Sequence, residues 1–130
     1  MASIFELENP AFGNTYRKTT VTTLAASGAQ TATTARLLGG VMVSTATAAF
    51  ALPTATGAEI CAALDAVGQN FVGISFEFSI VNLGTSTFHI TLTAGATGVT
   101  VTGDAIVEAG TSSTFRALVT AANTVVIYTI

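Results

Sequence analysis

Charge is what this chain has least of. Four Lys and Arg and seven Asp and Glu make up 8% of 130 residues, for a formal net charge of −3; ordinary soluble domains carry about 25% charged residues. The permanent cations are Arg17, Lys18, Arg36 and Arg116. They are too few and too scattered to neutralise a phosphate backbone, so no nucleic-acid partner is expected. Trp is absent, which argues against a carbohydrate-stacking platform. Cys61 is alone, so an intrachain disulfide is excluded, and its apolar neighbours predict a buried, inert thiol. Mean hydropathy is +0.67, yet Thr, Ser, Gly and Pro interrupt every apolar run before the roughly 18 residues a spanning helix needs. No membrane partner is expected. Glu6 and Glu8 stand where a secretory signal would carry positive charge and then an apolar core, so export by that route is not expected. The chain also lacks an Asn-X-Ser/Thr acceptor.

What fills the surface instead is neutral and small. There are 24 Thr and 12 Gly, with abundant Ala and Ser, a composition that favours strands and turns over helices. Lys and Glu resist burial because their charge and flexible stems cost free energy to immobilise. A surface that lacks them loses little on meeting another protein, which is the first indication of assembly. The length fits one domain with a real core.

Two regions differ in texture. Residues 1–40 hold two acidic residues, a Pro, a basic pair and then Thr and Ala in irregular order, and are read as an extended N-terminal arm. Residues 41–130 are read as a β domain. Val41 to Leu52 is apolar and ends at Pro53, fitting one or two entry strands. Thr56 with Glu59 three residues on is a capping box, Ile60 and Leu64 share a face, and Gly68 can close the helix in a left-handed conformation. The spacing predicts one short helix of about three turns packed on a sheet.

After Gly68 the period is two. Ile74, Phe76, Phe78 and Ile80 alternate with Ser75, Glu77 and Ser79. A turn at Asn82 to Thr85 leads to Phe88, Ile90 and Leu92 alternating with Thr and His89, which reads as a hairpin. Short strands follow around Val99 and Val101, at Ala105 to Glu108, around Phe115 to Val119, and at Thr124 to Ile130. The expected fold is mostly β, an antiparallel sandwich or jelly-roll-like barrel. The last strand is apolar on both faces, through Val125, Val126, Ile127, Tyr128 and Ile130, so both faces should be covered, the outer one by the helix or by another subunit.

Catalytic and metal chemistry finds little footing. One His, one Cys and scattered carboxylates do not make an ordinary metal site, and no metal or other cofactor is expected. Ser75 lies in Gly-Ile-Ser-Phe-Glu, which lacks the second Gly of a nucleophile elbow. Glu59, Asp65, Glu77, Asp104 and Glu108 show no motif context for a glycosidase pair, and no Gly-rich phosphate loop is present. Glu77 and Arg116 read as partners in a cross-strand or intersubunit ion pair, and His89 as a solvated or interface residue.

One resemblance covers about 80 residues. Leu52-Pro53-Thr54-Ala55, Asn70-Phe71-Val72-Gly73-Ile74-Ser75-Phe76-Glu77-Phe78, Ile80-Val81-Asn82, Leu92-Thr93-Ala94-Gly95, Gly98-Val99-Thr100, Ala109-Gly110 through Arg116, and Val125-Val126-Ile127-Tyr128 follow one another in this order. The series resembles a recurrent pattern in small trimeric β-rich virion proteins of tailed phages and some large DNA viruses. That resemblance implies a non-enzymatic homotrimer on a capsid or tail. The reading it supports is a capsid decoration or cement protein of a bacteriophage virion, assembled in the host cytoplasm. Its partners would be its own copies and the major capsid protein. A tail-fibre or spike module with a receptor-binding face is the alternative, although no heptads supply a shaft. The interface candidates are Phe5, Phe12 and Tyr16 in the arm and Val126, Tyr128 and Ile130 in the last strand.

Overall fold

A computed structural model of the chain describes residues 18–130. It is mostly β, with two helices and two mixed sheets. In chain order the elements are β1 (Thr20–Thr23), α1 (Thr34–Gly39), β2 (Gly40–Ser44), β3 (Phe50–Pro53), α2 (Gly57–Ala66), β4 (Ser75–Asn82), β5 (Ile90–Thr93), β6 (Val99–Thr102), β7 (Ile106–Val107), β8 (Ser112–Ala121) and β9 (Thr124–Thr129). Six strands form one sheet in the order β1-β2-β4-β8-β9-β6, and three form a second in the order β3-β5-β7. Inward side chains of both sheets join the buried faces of the helices in one core, in which Phe78 and Phe115, register partners on β4 and β8, stack at 5.4 Å.

The helix α2 forms as the capping pattern predicts. Thr56 Oγ1 accepts from the Glu59 backbone N–H at 3.2 Å while the Glu59 carboxylate accepts from the Thr56 N–H at 2.9 Å. At the other end Gly68 adopts φ +73°, its N–H donating to the Asp65 carbonyl and that of Gln69 to the Leu64 carbonyl. Ile60, Cys61 and Leu64 are buried on the core side.

Three expectations need correction. The sheets are mixed rather than antiparallel: β1 with β2, β2 with β4, β6 with β9 and β3 with β5 all run parallel. The partners in each of the last three pairs are separated by other elements, which is the length a parallel crossover needs. Next, β4 and β5 do not make a hairpin. The turn after Asn82 carries the chain out of the six-stranded sheet into the three-stranded one, and the turns after β5, β6 and β7 each switch sheets again. Among the described strands, β8 and β9 are the only sequence neighbours that pair antiparallel, while β1 and β2 pair in parallel across α1. Finally, residues 20–40 are built into the fold rather than extended. They hold β1 and a second helix, α1, and bury Leu24, Ala32 and Leu37. The Ala32 N–H donates to the Pro53 carbonyl at 2.8 Å and its carbonyl accepts from Ala55 N–H at 3.0 Å, so a side chain of one methyl sits against β3 at close range. The candidates Phe5, Phe12 and Tyr16 lie outside the described residues.

Candidate interaction surface

Because strands alternate, the six-stranded sheet turns every second side chain away from the core, and the register sorts these outward residues into rows. One row reads Thr23, Val43, Val81 and Ser112, and the next Val21, Val41, Ser79 and Thr114. Then come Glu77, Arg116, Tyr128 and Thr102, and last Ser75, Leu118, Val126 and Thr100. In this array Glu77 and Arg116 are the only charged side chains. They are cross-strand partners and form an ion pair, each about half exposed. Beside them Ser79 Oγ and Thr114 Oγ1 share a hydrogen bond of 2.9 Å. The two charges of the face thus cancel within it.

No described element lies over this face. Val21 is 63% exposed, Tyr128 39% and Ile130 58%, whereas Val125 and Ile127 on the other side of β9 are fully buried. Neither helix covers the outer face of β9: α2 packs Ile60 and Leu64 on the core side, leaving Tyr128 and Ile130 exposed and Val126 half-buried. The β9 candidates therefore share one open surface.

A groove of about 500 Å³ crosses β2, β4 and β8 on the same face, from Thr19 and Gly40 past Val41 and Ser79 to Thr114 and Arg116. Its depth follows from residue size: Gly40 has no side chain, and Ser75, Ser79 and Thr114 are short.

A second apolar patch escaped the sequence reading. Val67, Phe71 and Val72, in and after the α2 C-terminus, are 66%, 55% and 65% exposed. They fall outside any alternation, and the only available signal was three large apolar residues among Gly, Gln and Asn.

The chemical candidates stay apart. Among the described residues no three of His, Cys, Asp and Glu gather where they could hold a metal ion. His89 Nδ1 lies 3.2 Å from its neighbour Thr87 carbonyl, Cys61 is buried, and Ser75 is on the open sheet face. No described helix is long and apolar enough to cross a membrane. No family model, curated protein or solved structure matches the chain.

Proposed function

We propose that this chain is a non-enzymatic structural protein that decorates a protein shell, a capsid cement protein that assembles as a homotrimer and bridges subunits of the major capsid protein. The observation that carries the reading is the outer face of the six-stranded sheet, whose two charges cancel and whose exposed Val21, Tyr128 and Ile130 have no cover among the described residues. Burying such a face removes apolar area from water at about 25 cal/mol per Å² without stripping water from unpaired ions. The order of strand and turn motifs from Leu52 to Tyr128 supports the virion setting, and two sheets on one core suit a sandwich-like domain that presents one face. A trimer engaging the shell at three points would dissociate far more slowly than one copy alone.

Light scattering on the purified chain, alone and mixed with shells that lack it, tests this. The expected result is a species of three times the 13.1 kDa chain mass that pellets with shells and raises their resistance to heat. A monomer that stays in the supernatant sinks the proposal.

A further inference from the structure

The open face of the six-stranded sheet carries a hollow and a protrusion at different places. The hollow is the groove of about 500 Å³, which reaches the β2 side of the face at Gly40, where no side chain stands. The protrusion is on β9, whose Tyr128 and Ile130 are exposed. Tyr128 does not line the groove, and β9 lies three strand spacings from β2, about 14 Å, so the ring cannot fill the Gly40 end of its own hollow.

The register sets the two features at the same height. Tyr128 is level with Arg116 and Glu77, while Val41 is level with Ser79, two residues further along β4. The row of Tyr128 therefore meets β2 at the Gly39–Gly40 step, just before Val41. Ile130 donates its N–H to the Thr114 carbonyl at 3.0 Å, which makes it level with Thr114, Ser79 and Val41.

We propose that Tyr128 of one copy enters the groove of a neighbouring copy beside Gly40, with Ile130 against Val41, and that this repeated contact holds the homotrimer together. The inference rests on the homotrimer reading for the number of copies. A rotation axis along the strands keeps every row level, so the Tyr128 row of one copy meets the glycine step of the next and Ile130 meets Val41. A knob and a hole at different places on one chain make a head-to-tail contact, which closes into a ring of three when each copy turns by one third. The occupant is a second copy because the matching protrusion sits on this same face at the matching height, and because Glu77 and Arg116 cancel inside each copy, so like faces meet without net repulsion. The groove also serves a buried tyrosine, whose hydroxyl needs a partner: Glu77 in its lining offers a carboxylate acceptor.

Val41→Cys and Ile130→Cys, placed in separate full-length chains of which one is tagged, and co-expressed, test the contact while leaving Tyr128 in position. A short bis-maleimide is expected to join tagged to untagged chain, whereas neither variant expressed alone links to itself; Cys61 is buried, and the unmodified chain is the control for it. Val41→Glu puts an unpaired charge in the contact, and its mass in light scattering is expected to fall from three chains to one with an unchanged circular dichroism spectrum. A three-chain species that lacks the mixed cross-link, or one that survives Val41→Glu, overturns this contact and leaves the homotrimer reading standing. A single-chain mass for the unmodified protein removes that reading and this inference with it. A mixed cross-link within a species of two chains supports the contact and overturns its closure into a ring of three.

Discussion

At the residue scale, Asn82 does more than end a strand. It is fully buried, and its amide nitrogen donates to the carbonyls of Phe88 at 2.8 Å and Val107 at 3.1 Å while its side-chain oxygen accepts from Gly84 N–H at 2.9 Å. Its backbone also bonds to Thr111 and Gly110. One side chain thereby ties the end of β4 to the segment before β5 and to β7 itself, and no apolar residue can supply that mixture of donors and acceptor. Asn82→Ala strands two buried carbonyls and an N–H, at about 1–3 kcal/mol for each group left unpaired. Urea denaturation is expected to show a loss of about 3 kcal/mol or more. Gly57 is restrictive for another reason: a Cβ there would lie 2.2 Å from the Asn123 carbonyl and 2.6 Å from that of Gly98. Both neighbours are backbone, so neither yields cheaply. Gly57→Ala is expected to lower the thermal midpoint by the equivalent of about 1–3 kcal/mol, despite adding only one methyl in a helix.

At the scale of elements, what could be read in advance was whatever is local in sequence. The α2 capping box and the Gly68 terminus depend on residues within five positions of one another, and both formed where expected. Thr56→Ala should therefore cost about 1 kcal/mol, readable as a shift of the urea midpoint without a change in slope. The alternation from Ile74 to Ile80 likewise gave the buried face of β4, with Phe76, Phe78 and Ile80 inward. The cross-strand use of Glu77 and Arg116 was legible because period two put both on polar faces. Pairing between strands was not legible. Gly and Asn mark a turn whether it joins neighbours in one sheet or carries the chain to another sheet, and that choice rests on contacts such as those of Asn82, which lie 6 and 25 residues away. The stretch around Ala25 to Ala35 looked featureless because its attachments are mostly backbone. Ser44 Oγ donates to the Ala25 carbonyl, and Gln30 closes a loop on both backbone groups of Ala25. The open face combines both cases: its residue content followed from alternation, whereas its continuity over six strands required the topology.

At the scale of the whole molecule, fold and association are expected to separate. The outward residues of the six-stranded sheet contribute little to the core, so Tyr128→Lys should change unfolding free energy by no more than about 0.5 kcal/mol, as for most exposed positions. The same substitution places an unpaired charge in a face whose existing charges cancel, and if the proposed homotrimer is built on this face, the mass in light scattering is expected to fall from three chains to one. Raising salt should leave an association made by this face nearly unchanged, since the Glu77–Arg116 pair is already internal to the protomer.

The sheet-switching path also governs how fast this chain can find its fold. Val41 must meet Ser79 and Phe50 must meet Ile90, so these two parallel pairs close loops of roughly forty residues before any contact within them compensates the lost chain entropy. Only β8 and β9 can zip up locally, which makes that hairpin, with β4 added to it, the natural nucleus. A chain of this size with so few local pairings belongs among the slow folders, on the order of milliseconds to seconds. During that interval the nearly uncharged strands are exposed at their edges with little electrostatic repulsion to keep separate copies apart. Dilution during refolding should thus matter more for its yield than for that of a charge-rich domain of equal length.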